Sequence, residues 1–338
     1  MAVKVAINGF GRIGRQVFKV YMEKYQKDYE IVALNDLTDT KTLAHLYKYD
    51  SIYGRAKETV SATDDAIVIN GKNVKVYAEK DPANLPWKEL GVDIVIESTG
   101  FFRSKAAMQK HIDAGAKKVL LSAPAKSGDD VDLTVVIGVN DGKITKDMTM
   151  ISNASCTTNS MAGVVKAIND AFGIQTGLMT TIHSYTNDQK ILDAPHSDLR
   201  RARNAATNII PTSTGAAKAI GLVIPDLKGK LDGIAMRVPT AVGSVTDMTF
   251  KVGKNTTAEE VNGAVKKACD TYLKDTVEYC TDPIVLSDIV GSPYSSIFDS
   301  LLTSVMDGNI VKVCAWYDNE WGFSNRLAHL TSIVSKMV

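Results

Sequence analysis

The chain has 338 residues, more than one hydrophobic core usually spans, so two domains are expected. Its 39 Lys and Arg against 38 Asp and Glu leave a formal net charge of +1, which gives no basic field for nucleic acid and no charge run for a membrane surface. No apolar stretch approaches bilayer length, and the short run that reaches Gly9 is no signal-peptide core, so a soluble, cytoplasmic protein is expected.

Val3–Asn8 is a compact apolar run, Gly9-Phe10-Gly11-Arg12-Ile13-Gly14 follows at once, and residues 15–25 carry helical spacing through Val17, Phe18 and Tyr21. A strand before and a helix after give weight to a G-x-G-x-x-G that is weak alone. In this reading Gly9 permits the tight turn, Gly11 lets the backbone approach a pyrophosphate, and Gly14 lets the helix lie close on the sheet. The N–H groups of Arg12 and Ile13 then face the phosphates. Residues 31–34 form a second strand that closes on Asn35-Asp36. Asp36 is placed to accept from the adenosine ribose hydroxyls and to repel the extra phosphate of NADP, which favours NAD. Further strands at 92–96 and 118–122 alternate with a helix at 104–114, the mark of parallel pairing through crossovers. Thr99, Gly100 and Ser122 then stand at strand ends lining the crevice. Within 66–78, Asn70-Gly71 separates two alternating runs and predicts a hairpin. The first half reads as a Rossmann dinucleotide-binding domain of α/β class.

After about residue 155 the pattern changes to α+β. Longer strands are expected at 178–184, 233–238, Ser244–Val252 and 309–316 in a mostly antiparallel sheet, with helices at 155–172 and 258–273 over one face. Residues 185–211 are polar, carry arginines and keep no steady period; loops of this length are usually functional or pinned by a neighbour. Residues 321–337 have helical spacing through Leu327, Leu330, Ile333 and Val334, and are expected to pack back on the first domain. The expected division is 1–155 with 320–338 for the NAD-binding domain and 156–319 for the catalytic domain.

The four cysteines, Cys156, Cys269, Cys280 and Cys314, are scattered without a C-x-x-C pair, so neither a metal site nor a disulfide framework is implied. Cys156 lies in Ala154-Ser155-Cys156-Thr157-Thr158-Asn159 at the mouth of a predicted helix, where the macrodipole favours a thiolate. A cysteine picked at random is more often a small buried hydrophobe. His183, ending the strand at 178–184, is the candidate base; His45, His111, His196 and His329 read as surface or packing residues. A nucleophile, a base and a dinucleotide site in one chain rarely coincide by chance.

Over essentially its whole length the chain closely resembles the phosphorylating glyceraldehyde-3-phosphate dehydrogenases. The matching stretches are Ile7 to Arg15, Asn35-Asp36-Leu37-Thr38-Asp39, Ser155-Cys156-Thr157-Thr158-Asn159, His183-Ser184-Tyr185-Thr186-Asn187-Asp188-Gln189, Pro211 to Lys218 and Trp316-Tyr317-Asp318-Asn319-Glu320. The resemblance implies oxidation of glyceraldehyde 3-phosphate to 1,3-bisphosphoglycerate, a step of glycolysis and gluconeogenesis. Cys156 would attack the aldehyde, His183 would take its proton, hydride would pass to NAD, and inorganic phosphate would cleave the thioester. It further implies that Thr186 and Arg237 hold the substrate phosphate, that Ser155, Thr157, Thr214, Gly215 and Arg201 hold the incoming phosphate, and that Asn319 fixes the nicotinamide amide. A homotetramer is implied as well, with residues 185–211 crossing a subunit interface.

Three positions depart from the family's usual pattern. Ser160 replaces a cysteine that many members carry one helical turn after the nucleophile, Phe323 replaces a tyrosine, and Ala194 precedes Pro195 where NAD-specific members often have leucine. The last leaves dual use of NAD and NADP open. Two other readings are an erythrose 4-phosphate dehydrogenase, separable by its lack of phosphate dependence, and a binding or adhesion protein that kept the fold without the catalysis.

Overall fold

The structure is a computed structural model that describes residues 2–338. It divides into two compact units. One holds the chain up to Val135 with Lys143–Ala154 and Ser324–Val338; the other holds Val136–Gly142 and Ser155–Phe323. This differs from the expected division at 136–142, Ser155 and 320–323, which local contacts group with the second unit. A Cβ at Gly138 would stand 3.1 to 3.2 Å from Thr276, Leu273 and Tyr272. The Asp318 carboxylate accepts from the backbone N–H of Glu320 at 2.9 Å, Trp321 at 2.8 Å and Gly291 at 2.8 Å, tying the start of the terminal helix to the second unit.

In the first unit, Val3–Asn8 runs parallel to Tyr29–Asn35 on one side and to Ile94–Glu97 on the other; Lys118–Leu121, Met150–Ser152 and Leu133–Thr134 continue the parallel sheet. Both neighbours of Val3–Asn8 follow it in sequence, so its C-terminal end is the point where the winding reverses. Its residues Val5, Ala6 and Ile7 are fully buried, as a strand covered on both faces requires. Beyond Tyr29–Asn35 the sheet is extended by Lys72–Tyr77, Ala66–Ile69 and Val60–Ala62. Asn70 and Gly71 turn the hairpin with φ of 48° and 77°, the left-handed pair a tight two-residue turn needs. The predicted helix over 15–25 begins at Arg12, and its last turn, Tyr21–Tyr25, widens into a π-helix. The end of the terminal helix Trp321–Ser335 belongs to this unit, where Asn325 accepts from Lys24 at 2.7 Å and Ser332 donates to Asp28.

The second unit is built on a seven-stranded mixed sheet, in spatial order Ile210–Ser213, Leu231–Val238, Ile174–Ser184, Ser244–Val252, Ile310–Tyr317, Ser296–Met306 and Val277–Cys280. Two of its six pairings are parallel, Ile174–Ser184 with Leu231–Val238 and Val277–Cys280 with Ser296–Met306. Helices Cys156–Phe172, Ala216–Val223 and Ala258–Cys269 pack on it. Along Ile174–Ser184, Met179, Thr181 and His183 are buried while Leu178 is 68% exposed, so one face is covered and the other open. No helix among the described residues is long and apolar enough to cross a membrane.

Candidate active site and cofactor cleft

Cys156 is the first residue of its helix. Ser155 caps that helix in extended geometry, its Oγ accepting the N–H of Thr158 at 3.0 Å, which satisfies one of the unpaired donors of the first turn. Cys156 Sγ lies 3.5 Å from His183 Nε2. The parallel register pairs His183 with Arg237, so both side chains leave the same face of the sheet. Arg237 Nη1 stands 2.7 Å from His183 Nδ1 and donates to the Ser184 carbonyl at 2.9 Å; His183 Nδ1 also lies 2.7 Å from that carbonyl. Two proton arrangements fit these distances. With the ring proton on Nδ1, bonded to the carbonyl, Nε2 is free to accept from the thiol; with Arg237 donating to Nδ1, the proton sits on Nε2 and faces sulfur.

Burial, and then the Arg237 charge, lower His183 to about 3. Burial pushes the Cys156 thiol up, against the pull of Arg237 and of Thr157. The helix end favours the thiolate, while burial opposes it and is the larger effect on Cys156. Tyr317, fully buried, closes the site from below: its hydroxyl lies 2.8 Å from both Thr157 Oγ1 and Thr181 Oγ1, and its ring stands edge-on to His183 at 5.9 Å. Sequence reasoning missed this role for Tyr317, and only its place on an apolar strand ahead of Asp318-Asn319 could have signalled it.

Around this pair stand two arginines. Arg201 Nε donates to Thr212 Oγ1 at 2.9 Å, Nη2 to the Ser213 carbonyl at 3.3 Å, and Nη1 pairs with Asp188. That places it beside Thr214 and Gly215, which lead into helix Ala216–Val223; the Thr214 hydroxyl accepts the N–H of Ala216 at 3.2 Å. His183 and Arg237 both feel the Arg201 charge. Arg203 instead pairs with Asp193 at 2.9 Å. Thr186 follows two residues after Ser184, its carbonyl accepting from Gln189 at 2.9 Å. Asn319 is oriented by its oxygen, which accepts from Ser184 Oγ at 3.0 Å, Gly243 N–H at 2.9 Å and Ser244 Oγ at 3.3 Å.

The other predicted residues meet in the first unit. A cleft of about 440 Å³ opens at the C-terminal ends of the strands, lined by Gly9, Gly11, Asp36 and Thr99 among others. Gly9 has φ of 94°, and a Cβ on Gly14 would fall 2.2 Å from the Gly9 carbonyl oxygen, so helix and turn meet in a contact only glycine permits. A Cβ on Gly11 would meet nothing within 4 Å, leaving room for a phosphate group to approach. Asp36 accepts from Phe10 N–H at 2.8 Å and Thr38 N–H at 3.0 Å, which keys the end of its strand to the glycine turn. The Arg12 side chain turns to Asp50 at 2.8 Å, so it is its backbone, with that of Ile13, that the helix start can offer to an anion. Gly100 is left-handed with φ of 80°, and Ser122 follows Lys118–Leu121, its N–H bonded to the Glu97 carbonyl at 2.9 Å. Thr99 lines the cleft as expected, and its N–H and its hydroxyl both bond to the Glu97 carboxylate. These residues fit a dinucleotide.

A doubly wound nucleotide-binding unit, joined in one chain to a unit carrying a thiol and imidazole pair, defines the class: a nucleotide-dependent oxidoreductase. Residues 3–105 match the family described as glyceraldehyde 3-phosphate dehydrogenase, NAD binding domain, and residues 155–319 match its C-terminal domain. The chain is 58% identical over 339 residues to glyceraldehyde-3-phosphate dehydrogenase 2 of Streptomyces avermitilis, with all of both chains covered. It is 56% identical to the glyceraldehyde-3-phosphate dehydrogenase of Thermotoga maritima and 55% identical to that of Geobacillus stearothermophilus, with 99% of each chain covered. The chain belongs to the glyceraldehyde 3-phosphate dehydrogenase family.

Proposed function

We propose that this enzyme oxidises glyceraldehyde 3-phosphate with NAD and inorganic phosphate to 1,3-bisphosphoglycerate, in the cytoplasm, through a thioester on Cys156. The observation that carries the reading is the 3.5 Å approach of Cys156 Sγ to His183 Nε2 at the start of a helix, with Arg237 against the far side of the ring. Sulfur attacks the aldehyde carbon while its proton passes to Nε2 and the carbonyl π electrons move onto oxygen, giving a hemithioacetal oxyanion beside the imidazolium. Arg237, held against the ring, favours the negative charge that develops on sulfur and so opposes the effect of burial. NAD, when bound, supplies the hydride acceptor. Cys156 is left acylated, and phosphate attacks the carbonyl carbon, releasing the acyl phosphate and the thiolate, which regains its proton from His183.

Arg237 and Thr186 are assigned to the substrate phosphate. Arg201, Ser155, Thr157, Thr214 and Gly215 are assigned to the attacking phosphate, and Asn319 to the nicotinamide amide. An arginine suits each anion because its planar fork meets phosphate oxygens in pairs. The hydroxyls of Ser155, Thr157 and Thr214 already have partners within the protein, so phosphate would share or displace those bonds. Asp36 and the glycine turn favour NAD, and NADP is expected to be the poorer cofactor. The open sheet face carrying Leu178 and Ile234, together with exposed Ile191, Leu192, Leu199 and Ile209, supports assembly with further copies as a homotetramer. Light scattering that found a fully active monomer would remove that part of the reading.

The test is NADH formation from glyceraldehyde 3-phosphate with and without inorganic phosphate. Turnover that depends on phosphate is expected. Equal turnover without it, with erythrose 4-phosphate preferred, would move the assignment to the hydrolytic relative.

A further inference from the structure

Beneath the cofactor cleft lies a buried ionisable group that the proposed reaction does not use. Glu97, the last residue of Ile94–Glu97, is fully buried, as are His111 and Trp87. One Glu97 carboxylate oxygen faces Asn8 Nδ2 and, at 3.0 Å, His111 Nε2. The other accepts the Thr99 N–H at 2.8 Å and the Thr99 hydroxyl. On the far side of the imidazole, the Trp87 indole N–H meets His111 Nδ1 at 3.1 Å. An indole N–H can only donate, so Nδ1 must accept; the ring is neutral and its proton points at Glu97. Four donors therefore surround the buried carboxyl group, and losing any of them leaves its oxygens less satisfied.

From Glu97 the bonding spreads along the floor of the cleft. The Asn8 oxygen accepts from Asn35 Nδ2 at 2.7 Å, and the Asn35 oxygen accepts the N–H of Glu79 at 2.8 Å. On the other side the Thr99 hydroxyl accepts the N–H of Phe101 at 3.1 Å, shaping the turn at the cleft's lip. Asn8, Asn35, Glu79, Thr99 and Phe101 all line the cleft. The glycine turn rests on the same frame, because a Cβ on Gly9 would lie 2.7 Å from the Thr99 nitrogen, and Ser98 Oγ donates to the Gly9 carbonyl at 2.7 Å.

We propose that Glu97 is a positioning residue for cofactor binding: from beneath the cleft it locks the ends of adjacent strands into the shape that receives NAD. This rests on the NAD reading above. Because Glu97 acts on the cleft's shape and lies in the first unit, its loss weakens NAD binding and spares the thiol chemistry carried by the second unit.

The experiment measures NAD affinity by calorimetric titration of the full-length protein, and KM for NAD with kcat at saturating NAD, for wild type, Glu97→Gln, His111→Phe and His111→Gln. Glu97→Gln puts an amide N–H₂ against donors on one side, and His111→Phe removes one donor. Each is expected to weaken NAD about tenfold, with KM rising in step and kcat held within about twofold. His111→Gln, whose amide can donate to Glu97, is expected to recover most of the affinity. General destabilisation would not produce that split or that recovery. Wild-type Kd and KM in both weakened variants, or a fall in kcat at unchanged KM, would overturn the proposal. If Glu97→Gln does not fold, the two His111 variants decide it. A wild-type protein that shows no NAD binding would overturn the NAD reading itself, a separate and recognisable result.

Discussion

Replacing Arg237 with glutamine removes a cation without removing the nucleophile or its base. Arg237 Nη1 lies 2.7 Å from His183 Nδ1, and His183 Nε2 lies 3.5 Å from the sulfur, so the charge acts on Cys156 across the width of one imidazole. At roughly 7 Å and an effective permittivity near 20, a unit charge is worth about 2 kcal/mol to a thiolate. Partial exposure of Arg237 and screening by salt reduce this to about 1 kcal/mol. The sign is fixed, since a nearby cation stabilises the thiolate and its loss pushes the thiol further up. Burial remains the leading cause at His183, so the ring stays neutral near pH 8 in the variant. Alkylation of Cys156 by neutral iodoacetamide at pH 8 should slow about fivefold to tenfold. Anionic iodoacetate should slow further, because the attraction that steers it is lost as well, so the ratio of the two rate constants falls. An unchanged ratio, or faster alkylation of the variant, would show that Arg237 does not act electrically on the sulfur.

Three other substitutions test single positions. Asp36→Ala removes the acceptor for the Phe10 and Thr38 N–H groups, and steady-state kinetics should show kcat/KM for NAD falling about tenfold while NADP loses less. In Gly14→Ala the new Cβ meets the Gly9 carbonyl at 2.2 Å, a backbone clash that no side-chain movement relieves; denaturant unfolding should show a loss of about 3 kcal/mol or more. His183 is depressed from 6.5 to about 3 by folding, so the unfolded chain binds more protons between those values, and this group costs stability as pH falls through that window. His183→Asn removes that cost, which grows by about 1.4 kcal/mol per pH unit, so its Tm should fall less steeply than wild type between pH 6 and pH 4. Parallel Tm curves would contradict the depressed value.

Much of this architecture is legible in the sequence, because its signals are local. The glycine turn and the Asn70-Gly71 hairpin both depend on residues within a few positions of one another. What escaped depends on distant pairing. The strand Ser296–Met306 was not foreseen because its register against Ile310–Tyr317 shifts between Asp299 and Ser304, which breaks the alternation that marks a strand. The parallel pairing of His183 with Arg237, residues 54 positions apart, is likewise a property of the sheet. His111 shows the limit most plainly. Helical spacing gave a surface or packing residue, and only the fold brings Trp87 and Glu97 to its two ring nitrogens.

In the proposed reaction Cys156 becomes acylated during turnover. Mass spectrometry of the protein mixed with glyceraldehyde 3-phosphate and NAD, with phosphate withheld, tests it directly. An added 3-phosphoglyceroyl group is expected on the peptide bearing Cys156, discharged when phosphate is supplied and absent from Cys156→Ser. An adduct on Cys269, Cys280 or Cys314, or NADH formation by the Cys156→Ser variant at the wild-type rate, would contradict it.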